Sequence, residues 1–452
     1  MMDTIQPGSL APAPHPWLTG IPANWRSGPL KRFITSMDSG VSVNAFDIPA
    51  AAGQLGVLKT SCVYSGRFDA TQNKTVVEHE RDLVACPVRV GALIVSRMNT
   101  PDLVGAAGLV QEAAPNLFLP DRLWQVTFHG LLPRFAHYWT QSGLYRASVN
   151  AACAGTSASM QNLSQDDFRG FPLAAPCWQI QVLLADILDS ETARIDALIE
   201  KKTRFIELLQ EKRQALITQA VTRGLDPNVP TKDSGVDWLG QVPRHWAVTK
   251  IKRLIRSIGQ GWSPECEARP AQQDEWGVLK VGCVNGGVFR PEANKALPPS
   301  LTPRPALALA RGDVLVSRAN TRELVGSCAV VMDDQPRLML CDKLYRLVAA
   351  DDVDPEFMAH LIAVHGRRQV EIEANGASAS MVNIAQDVIL DVHVPVPPLA
   401  EQKALVRDLR LRSLKLNQLV ELTAASVELL REHRSALITA AVTGQIDARE
   451  AA

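Results

Sequence analysis

The sequence predicts an α+β protein of two mixed α/β domains joined by two long antiparallel coiled-coil helices, an internal repeat with a pseudo-twofold axis. Three observations lead there. First, segments recur at one constant offset of 221 residues: VSRMNT at Val95 and VSRANT at Val316, GVLKTSCV at Gly56 and GVLKVGCV at Gly277, RQALITQAVT at Arg213 and RSALITAAVT at Arg434. Twice 221 is 442, so the 452-residue chain is one unit written twice plus a short N-terminal extension. Second, that period far exceeds the roughly 20–50 residues of solenoids, so each copy is domain-sized. Third, each copy ends in a long stretch free of Gly and Pro, Trp178 to Ala220 and Leu399 to Ala441.

Each copy opens on a lead-in, WLTGIPANW at Trp17 and WLGQVPRHW at Trp238, read as a loop with an aromatic anchor. About 140 residues follow in which short apolar runs such as GVLKV, VLVS and CAVVM are bounded by Gly, Pro and Asn. These read as strands and turns. The closing stretches are helices of roughly 65 Å at about 1.5 Å per residue, too long for the inside of a compact domain. Their apolar residues step mostly by three, four or seven: Leu184, Leu188, Ile195, Leu198, Ile206, Leu209 and Leu216, matched by Leu405, Leu409, Leu416, Leu419, Val427, Leu430 and Leu437. That is the spacing of a helix–helix seam. Prolines stand just before each helix, Pro176 and Pro397–Pro398, and Gly224 and Gly444 stand at the far ends. Two equal stripes in one chain bury themselves most simply against each other, with a mixed domain at either end, a geometry for reading a split site on a long polymer.

Apolar content of 46% and charged content of 21% are those of a soluble globular protein. No run of about 18 apolar residues predicts a membrane span, and MMDTIQPGSLAPAPHPW lacks a signal-peptide core, so a cytoplasmic protein is expected. Eight cysteines form no CxxC pair and no zinc-type array; Cys62 and Cys283, at matched positions, read as buried reduced thiols. Charge bears on nucleic acid. From Arg26 to Arg169 there are 13 Lys and Arg against 11 Asp and Glu, and from Ala247 to Asp391 there are 17 against 18. Neither domain has the basic excess of a strong phosphate binder, so weak DNA binding by the chain alone is expected.

Catalytic signatures are missing. There is no GxxxxGK[ST], no HExxH and no GxSxG, and GQGWSP at Gly259 breaks a dinucleotide fingerprint at Pro264. Asp121 and Asp342, in DRLW and DKLY, read as turn residues. No catalytic residue, metal or cofactor is expected.

At this point the motifs resemble a known family. PVPPLAEQKALV at Pro395, RSALITAAVTGQID at Arg434 and VPRHW at Val242 are similar to conserved regions of the specificity subunit of type I restriction–modification systems. The first copy departs in places: CWQIQ at Cys177 keeps only the final Gln of PLAEQ, and TRGLD replaces TGQID. The resemblance implies an N-terminal extension over 1–16, target-recognition domains over 17–171 and 238–392, a central conserved region over 172–237 and a distal one over 393–452. It implies a non-catalytic subunit that binds double-stranded DNA with two adenine-methylating modification subunits and, in the full enzyme, restriction (helicase-nuclease) subunits. The alternatives are a specificity adaptor of a modification-only or related defence complex, and a coiled-coil scaffold without DNA contact.

Candidate DNA contacts follow from the shared hexamer. Arg forks onto guanine and Asn onto adenine in the major groove, which nominates Arg97, Asn99 and Thr100 with Arg318, Asn320 and Thr321. Lys59 and Lys280 are candidate phosphate contacts. The exit loops GTSASMQNLS and GASASMVNIA add Ser157, Ser159 and Asn162, with Ser378, Ser380 and Asn383. For all of these the competing role is to hold a turn by hydrogen bonds. Since both domains share the element and are related by the pseudo-twofold axis, a near-palindromic split target is expected.

Overall fold

Residues 21–153, 160–374 and 382–446 are described by the structure, a computed structural model. Its contacts divide the chain into two compact units, Met1–Thr203 with Thr423–Ala452, and Arg204–Leu422. Both unit boundaries fall inside the long helices.

The first unit is built on a four-stranded antiparallel sheet in the order Ile34–Ser39, Leu123–Phe128, Leu93–Ser96, Ala107–Leu109. Its central strand, LIVS, is buried along its whole length, which is why it reads as a continuous apolar run. The period of two still operates. Leu93 and Val95 join Trp124, Val126, Phe135 and Trp139 in one core, while Ile94 faces Leu58, Leu119 and Leu123 in another. The helices Pro133–Thr140 and Gly143–Cys153 cover the first face. The second lies against a small sheet in the order Ala45–Phe46, Asn73–Val76, Gly56–Leu58, Leu117–Phe118.

In the second unit the main sheet runs Ile255–Gln260, Leu344–Ala349, Val314–Ser317, Cys328–Val330. Val314 and Val316 face a core with Tyr345, Leu347 and Phe357, and Leu315 faces the other with Leu279 and Leu344. Its small sheet runs Asn294–Ala296, Gly277–Leu279, Gln335–Met339, Ala308–Leu309. A glycine is required beside each main sheet. A Cβ on Gly40 would lie 1.6 Å from the Leu119 carbonyl oxygen, and one on Gly261 would lie 2.0 Å from that of Leu340.

The long helices span Trp178–Arg223 and Leu399–Val442. Gly224 and Gly444 follow them in the left-handed conformation, φ 74° and 75°. The glutamine that survives from PLAEQ in both copies has a structural task. Gln181 and Gln402 are buried; each Nε2 donates to the carbonyl of the helix-breaking proline, Pro176 and Pro397, at 2.9 Å. Each Oε1 accepts a backbone N–H from its own domain, Leu132 at 2.7 Å and Asp354 at 2.8 Å. The glutamine therefore bolts the helix start onto the domain.

Within each unit the helices pair in antiparallel sense. Leu184 and Leu188 meet Ile438, Ala441 and Val442, and Leu405, Val406 and Leu409 meet Ile217, Ala220 and Val221. The seam departs from the expected register at two kinds of position. Ile217 and Ile438 are buried where Leu216 and Leu437, one residue earlier, are half-buried. Leu198 and Leu419 are 41% and 45% exposed. A straight helix drifts off a strict seven-residue repeat, so the seam is kept only in part: away from the domain cores Ile195, Leu209 and Val427 stay buried as expected while Leu198 and Leu419 do not.

Candidate nucleic-acid interface

The hexamer and the exit loop, more than 60 residues apart in sequence, become neighbours. Met98–Asn99 pairs antiparallel with Gln161–Asn162, and Ala319–Asn320 pairs with Val382–Asn383. The Arg97 carbonyl accepts the Leu163 N–H at 2.8 Å and the Arg97 N–H donates to the Arg122 carbonyl at 3.1 Å. In the second unit Arg318 does the same with Ile384 at 2.9 Å and Lys343 at 3.0 Å. Each unit thus carries a ribbon of three stitched segments at the end of its main sheet.

The side chains of the hexamer divide by exposure. Asn99 is 8% exposed and Asn320 is 7% exposed. Asn99 Nδ2 donates to Tyr64 Oη at 2.8 Å and Ser96 Oγ at 3.3 Å, and its Oδ1 accepts the Thr100 N–H at 2.9 Å. Asn320 repeats the pattern with Asn285 at 3.4 Å, Ser317 at 3.3 Å and the Thr321 N–H at 2.9 Å. These amides hold a turn from inside and present no free edge. The arginines lie between buried and exposed. The Nε atoms of Arg97 and Arg318 are closed off from water and unpartnered. Arg318 Nη1 donates to the Asp342 carbonyl at 3.3 Å, and its guanidinium lies 5.6 Å from the Tyr345 ring centroid. Thr100, Thr321, Asn162 and Asn383 are exposed. Ser157, Ser159, Ser378 and Ser380 lie outside the described residues.

The lysines differ between units. Lys59 is tied to Asp47 at 2.7 Å, and that contact holds the Asp47 carboxyl below its usual range. The position matching Asp47 is Ala268, so Lys280 is exposed with no ion-pair partner among the described residues. Lys59 precedes the turn Thr60–Val63, and Tyr64, which follows it, reaches Asn99. Lys280 likewise precedes the turn that contains Asn285.

Sequence reasoning weighed the aspartates of DRLW and DKLY and passed over the cations beside them. Asp121 and Asp342 accept from Ser42 and Ser263 and so serve turns. Arg122 and Lys343 are exposed and adjoin the arginine of each hexamer through their carbonyls. A cation retained at both copies of this position was the available signal. The exposed groups of each ribbon are therefore amides, hydroxyls and cations, suited to phosphates and base edges. Among the described residues no group of three His, Cys, Asp or Glu side chains could hold a metal ion, and no helix is long and apolar enough to cross a membrane. Cys62 and Cys283 are fully buried, and burial pushes both thiols far up.

Comparison with known proteins finds specificity subunits of type I restriction enzymes. The type I restriction enzyme EcoEI specificity subunit of Escherichia coli is 29% identical over 207 residues, 45% of this chain and 34% of that protein. The aligned part is thus about a third of that relative's length. The EcoKI specificity subunit of Escherichia coli (strain K12) is 24% identical over 373 residues, 78% of this chain and 74% of that protein. A chain from a solved structure on complex assembly and conformational transition of the type I R-M system superposes with a TM-score of 0.68 at 14% identity. It covers 94% of this chain and 99% of that one, a likeness of fold. No family model matches the chain. The curated homologues of this protein are type I restriction enzyme specificity subunits.

Proposed function

We propose that this homologue of type I specificity subunits supplies the DNA-sequence specificity of a restriction–modification enzyme and performs no chemistry itself. The observation that carries the reading, beside the homologues, is that both units build the same hydrogen-bonded ribbon from the hexamer, the exit segment and a flanking cation. A scaffold has no use for two such ribbons. In this reading residues 17–171 and 238–392 are the target-recognition domains. The long helices hold them about a pseudo-twofold axis, and the conserved regions over 172–237 and 393–452 engage two adenine-methylating modification subunits. Restriction subunits complete the enzyme in the cytoplasm. The near-neutral recognition domains leave most phosphate contacts to those partners.

Asn99 and Asn320 are assigned to holding the ribbon. Thr100, Asn162, Thr321 and Asn383 are assigned to DNA, with Arg122, Lys343 and Lys280 on phosphates. Arg97 and Arg318 remain candidates for guanine through the outer ends of their guanidinium groups. Because the ribbons match, the target is a split site of two similar, inverted half-sites, their centres about one helical turn of roughly 10 base pairs apart, or a multiple of it.

The test has two arms. The purified chain should bind DNA weakly and methylate nothing, and addition of the modification subunit should create tight, sequence-specific binding. Mapping methylated adenines in a genome carrying the system should then show the split, near-palindromic target. Methyl transfer by the chain alone would overturn the non-catalytic assignment. Half-sites without inverted resemblance would return the shared hexamer to a purely structural role.

A further inference from the structure

The first unit contains a cavity of ≈ 650 Å3 whose wall includes Arg67, Gln141 and Arg434. Its two arginines are answered internally. Arg434 Nε donates to Asp196 Oδ1 at 2.9 Å and its Nη1 to Gln141 Oε1 at 3.1 Å, while Arg67 reaches Asp196 Oδ2 at 2.9 Å.

The second unit has a cavity of ≈ 920 Å3 lined by residues that stand 221 positions away, among them Arg213, Val288 and Leu414. Arg213 matches Arg434, but its surroundings have changed. Asp196 is matched by Asn417, Gln141 by Ile362 and Arg67 by Val288. Arg213 has no hydrogen-bond or ion-pair partner among the described residues, and its Nε is closed off from water. A buried guanidinium N–H without an acceptor forfeits its hydration with nothing in return. Nearby charges do not answer it. Glu356 is engaged by Arg410, and Arg367 donates to the carbonyls of Glu323 and Val325. Burial and the Arg213 charge push His360 down to about 4, so it adds no charge at neutral pH. The wall also carries Gln210, Gln214 and Asp333, an exposed carboxylate that forms no ion pair with Arg213, beside an open apolar part in which Val288, Met332 and Leu414 are exposed by 53%, 43% and 58%. What the second cavity has lost relative to the first is the carboxylate that answers the arginine, Asn417 standing where Asp196 stood, and what it has gained is apolar surface such as Val288 in place of Arg67.

We propose that the cavity of the second unit binds a small organic monocarboxylate with a compact apolar body, the ligand carboxylate taking the place on Arg213 that Asp196 takes on Arg434. The apolar body covers Val288, Met332 and Leu414. The volume falls within the roughly 300–1,000 Å3 of small-molecule sites. The cavity shares with the DNA ribbon the turn that carries Asn285, but the proposal does not depend on the DNA-binding reading.

Isothermal titration of the full chain with 4-phenylbutyrate, and with its uncharged isostere 4-phenylbutanamide, tests it. The acid should bind saturably at one site, and the amide about tenfold more weakly or worse, for want of a charge-assisted pair. Arg213→Met should lose the acid. Asn417→Asp should lose it too, because it returns an internal carboxylate to Arg213 while removing nothing from the cavity. Absence of saturable binding by the acid overturns the proposal. So does equal binding of acid and amide, or unchanged binding by the folded Asn417→Asp protein.

Discussion

Asn99→Ala separates holding the ribbon from reading DNA. The substitution removes three hydrogen bonds, to Tyr64, Ser96 and the Thr100 N–H. Tyr64 is 38% exposed, so water replaces the lost amide there at little cost. Ser96 is fully buried, and a buried hydroxyl left short of a partner costs about 1–3 kcal/mol. Its 3.3 Å contact points to the lower end, about 1 kcal/mol. The Thr100 N–H, on an exposed residue, adds about 1 kcal/mol. The sum is about 2 kcal/mol, all of it in the first unit. Urea unfolding followed by tryptophan fluorescence should show the first unit's transition falling by about 1 M at a slope near 2 kcal/mol per M. The second unit's transition should stay in place, and the two must be fitted separately. In complex with the modification subunit, the folded variant should still discriminate its half-site. A stability change below about 0.5 kcal/mol together with selective loss of one half-site would refute the reasoning. It would mean that the Asn99 amide leaves its turn to meet a base.

Four further outcomes are expected. Arg122→Gln and Lys343→Gln should each weaken DNA binding by the complex about equally on all sequences and lower the salt slope by about one; loss confined to one sequence would mark a base contact instead. Lys280→Gln should weaken binding more than Lys59→Gln, because Lys59 is already held by Asp47. Gly261→Ala drives a Cβ against the Leu340 carbonyl, which belongs to the backbone and cannot swing aside. It should destabilise the second unit by about 3 kcal/mol or more in calorimetry, and a change below about 1 kcal/mol would show the strand free to shift. Burial pushes His365 down to about 4, while the unfolded chain takes up that proton near 6.5. The unfolded state therefore binds more protons between those values, and stability is lost as pH falls through that window. Melts at pH 5 against pH 7.5 should show the second unit weakened by about 2 kcal/mol from this residue, and His365→Leu, the residue type at the matching Leu144, should remove that share.

The long helices were legible because a helix shows itself by what is missing over many residues. Trp178 to Ala220 and Leu399 to Ala441 lack Gly and Pro, and the observed ends lie within three residues of that reading. The sheets were legible only as strands in some order. LIVS at Leu93 and VLVS at Val314 are buried on both faces, so no alternation marks which side meets which core. Their partners lie far off in the chain, and pairing at such range leaves no local trace. The site divides on the same physical line. Retention of Asn99, Asn320, Arg122 and Lys343 in both copies marks each position as constrained, but a bond made inward and a bond made to a ligand constrain a residue equally. Exposure separates them, and it depends on residues remote in sequence. Asn99 is buried because Tyr64 and Ser96 close over it, whereas Arg122 reaches solvent because the adjoining segment offers only its backbone to the ribbon. The surviving glutamine makes the same point. Gln181, alone among the letters of its motif in the first copy, has both ends of its amide engaged by backbone, so no other side chain can replace it. Among the neighbours that changed around it, CWQI for PLAE, Glu401 has both oxygens engaged, but by the side chains of His245 and Trp246 rather than by backbone, and the first copy has Ile180 in its place. A repeat therefore exposes its indispensable polar residues by what two divergent copies keep, and a structure is needed to tell which way each one faces.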